Sequence, residues 1–315
     1  MEQLQLEVQG LLADSVAPRT HSVYQRAWNF FRWFILRHGL NSPNFHPDFH
    51  PSLHQLVQFI AFMSIANYSP ATIASYVSGI SSTLRLYSLP DITQHFIIKR
   101  LLDGCRRRNH SRDTRRPITL DILRLIIPAL HSVCVSHFEA LLFRVAFLLA
   151  FFGFMRVGEL TAPTRSANSP LRRCDVTLRH LPSGNVVELH VRFSKTDQYG
   201  NGCVICIPTV SNGGILCPVR AASQYLRDSP HHHIHFLSHF DGTPMTRSQF
   251  TAILKRSLAF VGIQDSRYTS HSFRIGAATS AAMAGIPEHE IQRMGRWQSG
   301  VFRRYIRIST DLIHN

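Results

Sequence analysis

The stretch that decides the reading is His271-Ser272-Phe273-Arg274, followed by Gly295-Arg296-Trp297 and then Arg303-Arg304-Tyr305-Ile306-Arg307. Ser270 reads as an N-cap, which places His271 in the first turn of a helix. Residues at i and i+3 share a helix face, so His271 and Arg274 point at one spot. That spot suits an anion, because arginine stays charged and its fork of donors matches phosphate oxygens. Tyr305 lies among Arg303, Arg304 and Arg307, with no acid between Ile291 and Thr310. Tyrosine holds its proton to about pH 10, and such a positive field eases formation of the phenolate.

Composition frames this cluster. The 315 residues, 44% of them apolar, suffice for two domains with a sizeable core. Lys and Arg number 34 against 19 Asp and Glu, a formal charge of +15 that favours a polyanionic partner, nucleic acid first. An acidic membrane surface is the rival partner, but no amphipathic anchor or lipidation motif stands out. The start, Met1-Glu2-Gln3, has no basic-then-apolar leader, so an intracellular protein is expected. The most apolar run, Val145 to Phe152, is too short to span a bilayer. The six cysteines read as reduced thiols. Cys203 and Cys206 form a C-x-x-C within a β-strand pattern, where i and i+3 face opposite sides and cannot readily share a metal. His231-His232-His233-Ile234-His235 follows Pro230 and reads as a solvated loop rather than a metal site. No phosphate-binding P-loop, Ser-His-Asp set or carboxylate cluster is present, so neither ATP nor a metal cofactor is implied.

Helical periods cover the first third: a weak one over residues 1 to 15, then Pro18 to His38, Ser52 to Asn67, Ser69-Pro70 onward, and about Gln94 to Arg108. Asn41 to Pro51, rich in proline, reads as a loop. Residues 1–110 are therefore an all-helical bundle. A basic segment follows, with Arg106, Arg107, Arg108, Arg112, Arg115 and Arg116; it is either a solvated connector or a DNA-backbone contact. In residues 111–315 a helix from Thr119 leads to a helix that is apolar nearly all round, Phe138 to Phe152, which belongs at the centre of a core. Short β-branched runs at Cys174 to His180, Val186 to Phe193 and Cys203 to Thr209 form an expected three-stranded antiparallel sheet. Two helical segments, Pro218 to Arg227 and Thr246 to Val261, follow.

His-x-x-Arg, a Gly-Arg-Trp and a late Tyr together resemble the signature of the tyrosine recombinase (phage integrase) family. The family's upstream arginine motif is matched by Arg156-Val157-Gly158-Glu159-Leu160, and its hairpin lysine by Lys195 in Phe193-Ser194-Lys195-Thr196-Asp197. The resemblance spans roughly residues 10 to 310. It implies a mainly α DNA breaking-rejoining fold: a SAM-like helical core-binding domain at 1–110 and a mostly helical catalytic domain at 111–315. It also implies site-specific DNA cutting and rejoining, independent of metal and ATP, through a 3′-phosphotyrosyl intermediate on Tyr305. Arg156 and Arg274 then hold the scissile phosphate, Lys195 protonates the leaving oxygen, and His271 assists proton transfer. Trp297 stands where many relatives carry His and can donate an N–H but not act as a base. Glu159 supports the site, and Arg303 and Arg304 join the linker arginines as DNA contacts. A lysine in a β-turn, or a tyrosine on a short basic helix, is by itself ordinarily just solvated. The Gly-Arg-Trp-x-Ser pattern resembles recombinases of eukaryotic mobile elements, which would place the protein in a nucleus. The implied partners are double-stranded DNA and three further copies in a tetramer on two sites, with no membrane and no small-molecule substrate. Two other readings stay open: a type IB topoisomerase-like enzyme, and a catalytically silent or domesticated DNA-binding protein.

Overall fold

The computed structural model describes residues 2–39, 51–109, 113–182, 184–192, 194, 197, 201–210 and 214–307. The chain divides into two compact units, Met1–Asp113 and Thr114–Asn315. Unit 1 is built from α1 (Glu2–Asp14), α2 (Pro18–Arg37), α3 (Leu53–Ile65), α4 (Pro70–Leu86) and α5 (Phe96–Arg108). Local chemistry sets their starts. Ser52 and Gln55 form a capping box, with Gln55 N–H donating to Ser52 Oγ at 3.2 Å and Ser52 N–H to Gln55 Oε1 at 2.7 Å. Ser69 caps α4 by accepting from Thr72 N–H at 3.1 Å, with Pro70 in the first turn.

The apolar positions of α2, α3 and α4 meet in one core, with Phe31, Ile35, Leu56, Ile60, Ile73 and Ile80 fully buried. At Gly79 the α2 and α4 backbones come so near that a Cβ would lie 2.9 Å from that of Ala27. In α1, by contrast, Leu4, Leu6, Val8, Leu11 and Leu12 are all exposed. The loop expected at 41–51 lies, but for Pro51, outside the described residues.

Unit 2 contains α6 (Leu120–Val133), α7 (His137–Phe152), the single turn α8 (Val157–Leu160), and strands β1 (Val176–Leu181), β2 (Gly184–Val191) and β3 (Cys203–Pro208). Then come α9 (Pro218–Asp228), α10 (Arg247–Phe260), α11 (Ser272–Met283), α12 (Glu288–Met294) and a 3₁₀ turn at Gly300–Tyr305. The sheet is antiparallel in the order β1-β2-β3, with Val187 opposite Leu178 and Ile207. Helix α7 is buried on nearly every side, as its almost wholly apolar composition requires, and α6, α9 and α11 pack on it. No helix among the described residues is long and apolar enough to cross a membrane.

Three details depart from the sequence reading. The N-cap of α11 is His271, not Ser270, because Thr269 and Ser272 close a turn one residue later: Thr269 N–H donates to Ser272 Oγ at 2.9 Å. Helix α12 carries one buried apolar residue, Ile291, too few to leave a periodic trace. The histidine loop is only partly solvated. His233 is buried, with its Nδ1 3.0 Å from Ser238 Oγ, and burial pushes its pKa down.

The segment entering unit 2 is fixed against α11. Ile118 N–H donates to Ser272 C=O at 2.9 Å and Arg116 N–H to Arg267 C=O at 3.2 Å. The approach is possible only because residue 276 is glycine, where a Cβ would sit 1.7 Å from Ile118 O. Gly276→Ala is therefore expected to destabilise the fold by about 3 kcal/mol or more, the upper range for overpacking a filled site. Gly158→Ala, whose Cβ would meet nothing, is the control and should lie within ~0.5 kcal/mol of wild type. Urea denaturation decides; equal midpoints for the two variants would contradict the packing described.

Candidate active site

The site is assembled from four chain segments around the side chain of Arg274. This residue is in the first turn of α11, and its side chain is 1% exposed. Its Nη1 donates to Phe154 C=O and its Nη2 to Gly295 C=O. The guanidinium lies 4.3 Å from the centre of the Trp297 ring and 5.9 Å from that of Tyr305, cation–π distances. The two rings pack on each other at 5.1 Å. Among the described residues Nε of Arg274 is buried without a hydrogen-bond partner. Burial, then the charges of Arg156 and Arg296, push the Arg274 pKa down, yet guanidinium remains charged at neutral pH.

The second segment is the end of α7. Phe154 takes a left-handed backbone (φ 48°) while Gly153 does not. Gly153 is needed for space, since a Cβ there would lie 2.8 Å from Leu149 O. The left-handed turn at a bulky residue costs roughly 1–2 kcal/mol, and the Phe154 carbonyl is the one that receives Arg274. Arg156 follows as the N-cap of α8, and its Nη1 is 3.0 Å from Glu159 Oε1. Glu159, 4% exposed, also accepts Arg156 N–H at 2.9 Å and Arg296 Nη2 at 2.9 Å. Burial would raise its carboxyl, but Arg296 and the Arg156 N–H outweigh that, and the pKa lies below the usual glutamate value.

His271, one turn before Arg274, is half-buried, and its pKa is lowered by burial, then by Arg115, Arg247, Arg274 and Arg156. The ring is therefore neutral at pH 7 and able to accept a proton. Trp297 is held by Gly295, where a Cβ would clash with the indole at 1.6 Å. Tyr305 ends the 3₁₀ turn, and Thr279 of α11 ties it down. Thr279 Oγ1 donates to Tyr305 C=O at 3.2 Å and accepts from Arg307 N–H at 3.0 Å. The positive surroundings read from sequence are reduced in space, since Arg303 pairs with Glu288 at 2.8 Å.

The fold thus brings together Arg156, Glu159, His271, Arg274, Trp297 and Tyr305. Lys195 and Arg112 lie outside the described residues. Arg106, Arg107 and Arg108 are exposed on the last turn of α5, Arg106 beside Asp103 at 2.9 Å. Arg115 and Arg116 belong to the packed edge of unit 2 rather than to a connector: Arg115 faces His271, and Arg116 pairs with Asp265 at 3.2 Å. Arg304 is exposed. Sequence reasoning missed Arg296, Arg247 and Thr279. Arg296 was visible only as a letter of the Gly-Arg-Trp motif; the other two carry no local signal.

Residues 216–310 match the model of the phage integrase family. An integrase/recombinase XerD homolog of Selenomonas ruminantium is 30% identical over 136 residues, a match that spans 41% of this chain and 39% of that relative's length. Among solved structures, the XerH site-specific recombinase bound to a palindromic difH substrate superposes with a TM-score of 0.62 at 14% identity, covering 94% of this chain and 77% of the other. A lambda integrase dimer bound to a COC′ core site gives 0.61 at 16%, covering 96% and 75%. The mostly helical architecture with a small antiparallel sheet is thus the fold of the tyrosine recombinases.

His271 is expected to titrate below 6.5 in an NMR histidine titration, and Arg115→Ala to move its pKa up towards that value without reaching it. An unshifted wild-type midpoint would contradict the burial and charge described.

Proposed function

We propose, for a chain that carries a phage integrase family domain, that the protein is a site-specific DNA recombinase cutting and rejoining strands through Tyr305. The observation that carries this reading is an imbalance of charge at one point. Arg156 and Arg296 share a single carboxylate, Glu159, while Arg274 beside them is bonded to no carboxylate and its buried Nε has no hydrogen-bond partner among the described residues. A buried cation excess of this kind is costly unless an anion completes it. A phosphodiester brings one negative charge and two non-bridging oxygens, and its transition state brings more charge.

In the reaction, the Tyr305 oxygen attacks phosphorus as its proton leaves, the new O–P bond forms, and the bond to the 5′-oxygen breaks as that oxygen gains a proton. Arg156 and Arg274 hold the non-bridging oxygens. Neutral His271 accepts the phenolic proton or donates to the phosphate, and the Trp297 indole N–H offers a further donor. Lys195 serves as the acid for the 5′-oxygen. Energy stays in the phosphotyrosyl bond, so the reverse attack by a 5′-hydroxyl needs no nucleotide, and guanidinium charge takes the place a metal would fill. Arg106, Arg107, Arg108, Arg112, Arg115, Arg116, Arg303 and Arg304 contact the DNA backbone. Residues 1–110 act as the DNA clamp and 111–315 as the catalytic domain, with four copies assembling on two duplex sites.

The test is incubation with a randomised pool of nicked duplexes, followed by a denaturing gel. The unaltered chain should form a covalent adduct, Tyr305→Phe none, and Arg274→Ala about 10²–10³ less. DNA binding without adduct would leave a silent DNA-binding protein. Adduct with supercoil relaxation but no strand exchange would favour a topoisomerase-like enzyme.

A further inference from the structure

We propose that Arg296 is a positioning residue of the cleavage site, whose guanidinium orients Glu159 and, through it, Arg156. The inference rests on the cleavage reading above and extends it to a residue of the Gly-Arg-Trp motif to which the resemblance gives no role.

The first observation is the backbone. Helix α12 ends in a Schellman turn, with Trp297 N–H donating to Gln292 C=O at 3.0 Å and Arg296 N–H to Arg293 C=O at 2.9 Å. Arg296 is the left-handed residue of that turn, at φ 55°. Helices commonly place glycine there, because a Cβ is penalised in this conformation. An arginine in that position needs a compensating role for its side chain.

The side chain shows what the role is. It is 18% exposed, and its Nη2 lies 2.9 Å from Glu159 Oε2 and 3.4 Å from Phe154 O. Its Nη1 reaches Cys203 Sγ at 3.6 Å, at the start of β3. Arg296 therefore joins the α12 loop to the end of α7, to α8 and to the sheet.

Glu159 is satisfied on both oxygens, Oε1 by Arg156 Nη1 and Oε2 by Arg156 N–H and Arg296 Nη2. Removing Arg296 leaves Oε2 one neutral donor, so the carboxylate loses one of its two charge partners and with it the two-sided grip that fixes its plane. Arg156 then loses its orientation towards the phosphate. The Phe154 carbonyl is shared with Arg274, so both phosphate-facing arginines are anchored to the same short stretch of chain.

The charged groups facing Glu159 are Arg156 before α8, Arg274 on α11 and Arg296 after α12. The folded-state carboxyl pKa is below its ordinary 4.5, so its contribution to stability is present above that value and fades as pH falls. Without Arg296 the burial that already opposes ionisation gains weight, the folded pKa rises, and stability is lost mainly at higher pH.

The experiment follows thermal unfolding of the full chain from pH 4.5 to 8 for wild type, Arg296→Gly, Arg296→Ala, and Arg296→Ala combined with Glu159→Gln. Glycine removes the backbone strain while deleting the guanidinium. The gap in Tm between wild type and either single variant should widen with rising pH, and Glu159→Gln should abolish that widening. On a nicked duplex selected by adduct formation with wild type, Arg296→Gly should form adduct at least tenfold more slowly at saturating DNA, with affinity within twofold. A pH-independent gap, or Arg296→Gly matching wild type in adduct rate, overturns the assignment. Absence of adduct from the unaltered chain would overturn the cleavage reading itself, which the single-variant comparison does not touch.

Discussion

A buried guanidinium at Arg274 is the constraint on which unit 2 depends. Taking an ion out of water costs several kcal/mol even after relaxation, and no carboxylate is bonded to this one among the described residues. Two backbone carbonyls and the face of Trp297 offset part of the cost, the cation–π contact contributing on the order of 2 kcal/mol when desolvated. What they supply is partial negative charge, which leaves a net positive site. Such an arrangement persists only where the surrounding fold is rigid enough to over-determine it.

That rigidity can be traced to particular residues. Helix α7 fills the centre of the unit with Phe143, Phe147 and Leu148 and ends at the left-handed Phe154, whose carbonyl meets Arg274. Helix α11 is locked at its start by Ile118 against Gly276, and midway by Thr279, which holds the backbone of the tyrosine turn. Gly295 admits the Trp297 ring beneath Arg274. Each of these is a packing requirement that places a functional atom, so stability and site geometry share the same residues.

The sequence disclosed more of the elements than of their connections. The capping pairs at Ser52 and Ser69 and the apolar run of α7 each have a local cause, and their helices start where that cause predicts. The site motif was legible because His271 and Arg274 sit one turn apart and Trp297 and Tyr305 follow closely. What stayed hidden depends on contacts between distant segments. Arg296 pairs with Glu159 across a long stretch of chain, Thr279 bonds to Tyr305 across a helix, and Glu288 neutralises Arg303 from a helix with almost no periodic signal. The left-handed residue at the α7 end is Phe154 rather than the neighbouring glycine, because a carbonyl had to be aimed and local propensity does not report that demand. His233 went inside for a similar reason, since Ser238 was in place to satisfy it.

The most direct test of the central claim, that one phosphorus atom is met by Tyr305 within this arginine cluster, is the mass of the peptide that carries DNA. Covalent protein–DNA adduct digested with trypsin and nuclease should yield a single nucleotide-bearing peptide, Tyr305-Ile306-Arg307, released by cleavage after Arg304. A nucleotide on any other residue, or an adduct in which this peptide is recovered unmodified, would contradict the account.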